Sequence, residues 1–474
     1  MNVNLRIRHL FALLLVLFGL LIAFTSYWSV LDAKDLEANT ANKRGLLEEQ
    51  RLRRGLIFAR DGTVLARNRV VGRGDSRFYR RTYPVDGLFA HAVGYNFVER
   101  GRSGIERSHN DDLTGDTNEF TTLWDELRGH QREGDDVVTS LDPNAQRVAI
   151  NALAGRAGSV VAIEPQTGRV NVMASVPGFD PNRVPRDFAQ LNRAPGSPLF
   201  NRSAQSGYPP GSTFKVVTAT AALDTGRFNP SSVISGDSPK EIGGVPLSNF
   251  GNQSFGPVTL TTALTKSINT VWGRVGEIVG KDTMFTYMRR FGFNTKPPID
   301  LPGSELRSSG VFSKGKLLDE SDDVDIGRVA IGQERLLVTP LQMAMVASAI
   351  SNDGKLMRPR LVQEVRDADG RTVKRVKPSE EATVMKPETA RALASMMSQV
   401  VKEGTGTAAA LSGIDVAGKT GTAEVGGTNQ AWFIGFAPVG NPRVAVAVTV
   451  ERTSGQGGTI AAPIAKQVME SLLR

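Results

Sequence analysis

A chain of 474 residues with no cysteine and only four histidines, none beyond position 130, cannot build a thiolate cluster. It also has no grouping of His, Asp and Glu at metal-ligand spacing, so neither a metal nor another cofactor is expected. The length suits roughly three domains with a core that needs no disulfide support, and the formal net charge of +9 is concentrated near one end.

Leu10 to Phe24 is an unbroken apolar run that Thr25 to Leu31 extends through Tyr27 and Trp28. It is long enough to cross about 30 Å of hydrocarbon, with its aromatics at the far interface. The core is too long for a signal peptide and no small-x-small cleavage site precedes Asp32, so residues 10–31 are expected to be an uncleaved single-pass anchor. The charge count is adverse to a cytoplasmic N-terminus: Arg6 and Arg8 precede the run, whereas Lys34, Lys43, Arg44 and Arg51 follow it. Residues 1–9 are nevertheless expected inside, because the basic pair abuts the run and large domains translocate largely regardless of charge.

Between Asn42 and Arg81 there are twelve Lys/Arg against four acids, 12 − 4 = +8. On the outer face of a membrane such a segment suits anionic lipid heads and wall polymers rather than nucleic acid, and solvated arginines on a small β-rich domain are the plainer alternative. Arg54 to Ala66 reads as a hairpin around Asp61-Gly62. Val137 to Leu141 is strand-like and Asn144 to Leu153 helical, and residues 32–157 together form a pedestal.

From Gly158 to the C-terminus the pattern is that of a core. Val160 to Ile163 and Val170 to Met173 flank Gln166-Thr167-Gly168 as an antiparallel hairpin. Helices are expected at Phe214 to Leu223, Leu260 to Val279 and Pro340 to Ile350, strands at Trp432 to Phe436 and Val444 to Val450, and a closing helix at Ile464 to Leu473. Strands at both ends with helices between give an α+β fold, one antiparallel sheet carrying helices.

Three motifs stand in order along this region: Ser212-Thr213-Phe214-Lys215, Ser267-Ile268-Asn269 and Lys419-Thr420-Gly421-Thr422. Their order is that of a serine acyl-transfer site using lysine as base. The histidine inventory agrees, since a serine nucleophile beyond residue 130 has no imidazole nearby in sequence. A lysine three residues after a serine lies one helical turn along, on the same face. Pro209, Pro210 and Gly211 end the preceding segment, so Ser212 opens a helix where free N–H groups favour developing negative charge. Lysine must lose its proton through burial or a neighbouring cation to act as base, and Lys419 is the obvious neighbour.

The chain holds decoys for each motif. Ser313-Lys314-Gly315-Lys316 has no apolar run behind it, and Ser108-His109-Asn110 precedes both candidate nucleophiles. Gly413 to Thr420 matches G-x-x-x-x-G-K-[ST], the phosphate-cradling loop of nucleotide hydrolases. That loop needs a strand before it and a helix starting at the lysine. Ala408 to Leu411 is a poor strand, and Gly421, Gly426 and Gly427 follow where the helix should run.

With these residues quoted, the chain resembles the class B penicillin-binding proteins, most closely the short actinobacterial penicillin-binding protein A type. Further matches are Arg54 and its following segment, Ser103 to Arg107, Gly178 to Asn182, Asn201-Arg202, Tyr208 to Ser212, Gly332-Gln333 and Thr339 to Gln342. The resemblance implies a membrane-anchored pedestal below a transpeptidase domain at residues 158–474, of the penicillin-binding and serine β-lactamase-like fold. It implies D,D-transpeptidation of the D-alanyl-D-alanine end of peptidoglycan stem peptides, inhibited by β-lactams. By resemblance Ser212 is the nucleophile and Lys215 the base. Ser267 and Asn269 relay protons and hold Lys215 and the substrate amide. Lys419, Thr420 and Thr422, beside Gly421, bind the terminal carboxylate, and the backbone N–H groups of Ser212 and Thr422 form the oxyanion hole.

A SEDS-type membrane polymerase is the implied partner for glycan synthesis. Pro209 departs from the acidic residue that many relatives carry there. A β-lactamase shares the motifs, but the anchor, the pedestal and the long interval from Asn269 to Lys419 favour a transpeptidase. A D,D-carboxypeptidase and a non-enzymatic penicillin receptor remain the alternatives.

Overall fold

The computed structural model describes residues 3–28, 50–74, 77–115 and 133–474. Ser29 to Leu31, Lys34, Lys43, Arg44, Glu48, Glu49, Asp75 and His130, all used above, lie outside them.

Helix α1, Val3–Ser26, is 24 residues long, about 36 Å at 1.5 Å per residue. Its segment Arg6–Ser26 has a mean hydropathy of 2.4 and buries nothing against the rest of the chain, so by length and composition it can cross a membrane.

The hairpin around Asp61-Gly62 joins β1, Ile57–Phe58, to β2, Val64–Val71. Gly62 takes φ 85° and Asp61 Oδ1 accepts from Thr63 N–H at 2.9 Å, so the turn chemistry read from the sequence is what closes it. Strand β3, Phe78–Thr82, extends this sheet on one side, and β4, Asp136–Thr139, pairs parallel to β1 on the other.

Helix α2, Pro143–Leu153, leads into β5, Gly158–Ile163, and β6, Val170–Val176. The helices that follow are α3, Lys215–Asp224, α4, Leu260–Thr265, α5, Asn269–Val279, and α6, Pro340–Ser351. Next come β7, Val362–Arg366, β8, Thr372–Arg375, and α7, Pro387–Lys402. The chain ends with β9, Ala417–Val425, β10, Thr428–Ala437, β11, Val444–Thr453, and α8, Gly457–Leu473.

Strands β9-β10-β11-β5-β6 form the five-stranded antiparallel sheet expected from the sequence. Both of its faces are buried, which is why its inner strands read as continuous apolar runs. Trp432, Ile434 and Phe436 face the helical layer with Val161 and Ile163. Phe433, Val446 and Val448 face α2 and α8 with Val160 and Ala162. Helix α6 is buried along its whole length up to Ile350, matching its lack of a polar face.

Two elements differ from the sequence reading. The helix expected over Leu260 to Val279 is two helices, broken at Lys266 to Ile268, with Ser267 in the left-handed region at φ 59°. The break holds because Ser267 and Ile268 turn their N–H groups back to the Leu264 and Ala263 carbonyls, as at a helix C-terminus. Strands β7 and β8, far along the sequence, join the N-terminal sheet in the order β8-β7-β4-β1-β2-β3.

That crossing is fastened by Asp300, whose carboxylate accepts from Leu361 and Val362 N–H at 2.6 and 2.7 Å. His109 lies against it, with Nδ1 2.8 Å from Asp112 and Nε2 3.7 Å from Asp300. Nearby, the wholly buried Glu106 is held between Arg54 and Arg81 at 2.9 and 2.6 Å. Removing one arginine would leave one carboxylate oxygen without its partner, and removing both would leave a buried charge unpaired, a loss of roughly 3–5 kcal/mol.

Burial alone would lower the His109 pKa, but hydrogen bonds to Asp112 and Asp300 push it up to about 9. A histidine pKa raised on folding adds stability that is complete below its unfolded value and is lost as pH rises to the folded one. The contribution of His109 to stability is therefore expected to be lost between about pH 6.5 and 9, against the opposite trend of the buried lysines, and is read from thermal melts of the wild type compared with a His109 variant across that range. The stability advantage of the wild type over His109→Gln should shrink as pH rises across that range; an advantage that does not change with pH would remove His109 from the joint.

Candidate active site

The segment carrying Ser212 is strapped down before its helix begins. Tyr208 exchanges backbone hydrogen bonds with Val338 at 2.9 and 2.8 Å, and Gly211 N–H donates to Gly332 O at 3.0 Å. From the sheet, Trp432 Nε1–H donates to the Pro209 carbonyl at 3.0 Å. The Tyr208 hydroxyl and Arg202 Nε both donate to Glu451 Oε1, at 2.5 and 2.8 Å. Residues 209 and 210 are prolines and offer no N–H, so the strap is fixed by its neighbours.

Gly211–Phe214 forms a 3₁₀ turn and Lys215 is the first residue of α3. Ser212 thus stands in a tight turn before the helix rather than at its first residue. The turn rests on the backbone of β9: a Cβ on Gly421 would lie 2.6 Å from Pro210 O, and one on Gly211 2.7 Å from Thr422 O. Glycine at these two positions permits that approach. Strand β9 is the edge of its sheet. Within a strand the N–H and C=O of one residue point to the same side. The Thr422 carbonyl lies against Gly211, so the Thr422 N–H faces the Ser212 turn as well.

Four of the sequence-selected side chains meet through hydrogen bonds. Lys215 Nζ lies 2.7 Å from the Ser267 carbonyl, 2.7 Å from Asn269 Oδ1 and 3.2 Å from Ser267 Oγ. Lys419 Nζ donates to Ser267 Oγ and to the Thr420 carbonyl, both at 2.9 Å. The break between α4 and α5 makes this possible: it turns the Ser267 carbonyl and hydroxyl inward and leaves Asn269 at the start of α5. A left-handed serine costs on the order of 1 kcal/mol, held here by the surrounding bonds. Asn269 is oriented in turn by donating from Nδ2 to Ser248 O at 3.1 Å.

Both amines are fully buried. Burial, then the Lys419 charge, holds the Lys215 pKa well below the ordinary lysine range. Burial alone brings Lys419 down to about 7. Of the two, Lys215 also feels the Lys419 charge, which favours its neutral form. A neutral amine has two hydrogens and one lone pair. The Ser267 carbonyl and Asn269 Oδ1 can only accept, so they take both hydrogens. The lone pair is left for a hydroxyl.

Thr420 and Thr422 alternate with Lys419 and Gly421 along β9. The Thr422 hydroxyl oxygen accepts Gly457 N–H, at the start of α8, at 3.1 Å. The Thr420 hydroxyl meets Thr405 Oγ1 at 2.5 Å. Thr405, Asn249 and Glu451 were not singled out by the sequence. Thr405 sits in a Gly-Thr-Gly loop with no motif signal, and Asn249 accepts Thr270 N–H at 3.0 Å from a long connection.

The decoys resolve differently. Ser313 and Lys316 pair across a two-stranded hairpin, and the Ser108 hydroxyl is bonded to the Gly104 and Asp300 carbonyls. The phosphate-loop match fails, because Lys419 lies inside strand β9 and no helix starts there.

The family model described as the penicillin binding protein transpeptidase domain matches residues 158–470. That of the penicillin binding protein A dimerisation domain matches residues 54–137. The chain is 35% identical to peptidoglycan D,D-transpeptidase PbpA of Mycolicibacterium smegmatis, over 99% of both chains. Its identity to the protein of the same name from Mycobacterium tuberculosis is 32%, again over 99% of each. The solved structure of penicillin-binding protein A from M. tuberculosis, as its ceftriaxone acyl-enzyme, has a TM-score of 0.81 at 32% identity. It covers 90% of this chain and 100% of that one. A family model spanning most of the chain and relatives aligned end to end agree with the site built above: this chain belongs to the class B penicillin-binding proteins, of the penicillin-binding protein A type.

Proposed function

We propose that the chain is a peptidoglycan D,D-transpeptidase, inhibited by β-lactams, that works through an acyl-enzyme on Ser212. The observation that carries the assignment of roles is the pair of buried lysines, Lys215 and Lys419, joined through Ser267 Oγ with no carboxylate bonded to either among the described residues. Such an arrangement favours one neutral amine and one cation, which are the base and the anion binder that the chemistry needs.

Ser212 Oγ attacks the carbonyl of the penultimate D-alanine of a stem peptide, and Lys215 takes its proton. The carbon–nitrogen bond breaks, the proton passes by way of Ser267 to the leaving amine, and terminal D-alanine departs. The resulting ester is attacked by the amine of a neighbouring strand, whose proton returns to Ser212 as the new amide forms. Asn269 holds Lys215 and the substrate amide. Lys419, Thr420 and Thr422 bind the terminal carboxylate, and Gly421 lets the turn lie against the strand. The N–H groups of Ser212 and Thr422 stabilise the oxyanion, a contribution of roughly 3–4 kcal/mol in comparable sites.

The division that suits these roles is residues 1–9 in the cytoplasm, 10–31 as anchor, 32–157 as pedestal and 158–474 as the catalytic unit outside. Helix α2 packs on the catalytic sheet and β7–β8 complete the pedestal sheet, which ties the two units together. A membrane polymerase of the SEDS type would supply the glycan strands.

Intact-mass analysis of the full chain after penicillin treatment is expected to show one adduct, on the peptide containing Ser212, and none in Ser212→Ala. An adduct that survives this substitution, or one on Ser313, contradicts the reading.

The pH dependence follows from the two lysines. Lys215 must be neutral, so the acylation rate rises as pH climbs through its depressed pKa. Lys419 must be charged, so the rate in the free enzyme falls above about 7. Lys215→Arg cannot deprotonate and should lose about 10²–10⁴-fold. Lys419→Arg should keep more activity and lose the falling limb. A falling limb that persists in Lys419→Arg would show that another group sets it.

A further inference from the structure

We propose that Thr405 is a positioning residue for the carboxylate end of the substrate, acting through the Thr420 hydroxyl. The inference rests on the transpeptidase reading above, in which Thr420 and Thr422 meet that carboxylate.

The two threonines of β9 share one arrangement. A backbone N–H can only donate, so the bond from Gly457 N–H fills an acceptor position on Thr422 Oγ1 and leaves the Thr422 hydrogen free to point at an anion. Among the described residues Thr420 Oγ1 has one hydrogen-bond partner, Thr405 Oγ1 at 2.5 Å, although Thr420 is buried. One of these two hydroxyls donates to the other. If Thr420 donates, its lone pairs face the carboxylate and repel it. If Thr405 donates, Thr420 keeps its hydrogen for the carboxylate, as Thr422 does. An arriving anion selects the second arrangement, in which the Thr405 hydroxyl, by donating to Thr420, fixes the Thr420 rotor with its hydrogen directed at the anion.

The loop is built to hold that hydroxyl in place. A Cβ on Gly404 would fall 2.5 Å from the Thr265 carbonyl, near the end of α4, and one on Gly458 would fall 2.4 Å from the Thr405 carbonyl. Thr405 N–H reaches Thr265 O at 3.4 Å and Gly406 N–H donates to Val400 O at 2.9 Å. Residue 405 is therefore clamped by its backbone between the helix that ends beside Ser267 and the helix that starts beside Thr422. Its side chain is exposed apart from this one bond. Packing accounts for the backbone and leaves the hydroxyl without any other task.

The test uses the full chain, benzylpenicillin, and benzylpenicillin methyl ester, which lacks the anion. Acylation is followed against inhibitor concentration to separate the apparent Kd from the limiting rate. Thr405→Val is expected to raise the apparent Kd for the acid by up to about tenfold, the upper end for one hydrogen bond between neutral groups, with the limiting rate little changed. The ester should be insensitive, and Thr405→Ser should restore the acid. In a Thr420→Val background Thr405→Val should add nothing further.

Equal losses for acid and ester, a loss confined to the limiting rate, or full additivity with Thr420→Val would overturn the inference. A wild-type chain that penicillin does not acylate would instead overturn the transpeptidase reading itself.

Discussion

Two lysine amines buried beside one serine hydroxyl are the constraint around which the catalytic unit is organised. A buried ammonium without a carboxylate is costly, and two of them sharing a neighbour cost more, so the cheapest escape is loss of one proton. Ser267 Oγ is that shared neighbour, 2.9 Å from Lys419 and 3.2 Å from Lys215. Lys215 is the one that yields, because its two acceptors use the hydrogens of a neutral amine fully and leave its lone pair for a hydroxyl. A carboxylate placed beside Lys215 would favour its protonated form and abolish the base.

The backbone makes the arrangement possible. Three elements distant in sequence are brought within hydrogen-bond range: the 3₁₀ turn into α3, the break between α4 and α5, and the edge strand β9. Each contact depends on a local exception to regular structure. Gly211 and Gly421 let two backbones approach where a Cβ would collide, Ser267 accepts a left-handed conformation, and Pro209 and Pro210 offer no N–H between the bonded Tyr208 and Gly211. The Glu451 carboxylate and the Trp432 indole then hold the strap from the sheet, so the position of Ser212 is set by the most deeply packed part of the molecule. Rigid support of this kind suits a reaction in which misplacement by about 1 Å costs roughly a hundredfold in rate.

Much of this was legible in the residues. The hairpin at Asp61-Gly62, the paired strands after Gly158, helix α6 and the closing helix follow from turn chemistry and periodicity. The grouping of Lys215, Ser267, Asn269 and Lys419 was legible in motif order, and the acyl-transfer roles proposed for them and for Ser212 rest on that order together with the scarcity of histidine. What was hidden has physical reasons. Leu260 to Val279 has a continuous helical pattern with no proline, so the break at Ser267 is imposed by long-range contacts. Strand β9 contains Gly418, Lys419 and Gly421, poor strand formers by propensity, and is a strand because β10 pairs with it residue for residue. The joining of β7 and β8 to the N-terminal sheet is a non-local event with no local signal. A single hydroxyl such as that of Thr405 is invisible until the loop that carries it is placed.

The account turns on the protonation state of Lys215. It is measured most directly by a ¹³C chemical-shift titration of the lysine ε-carbons in the full chain, with the Lys215 signal assigned by its loss in Lys215→Arg. The account predicts that the Lys215 signal titrates well below the ordinary lysine value of about 10.4. A Lys215 signal that stays in its protonated position up to about pH 10 would contradict it.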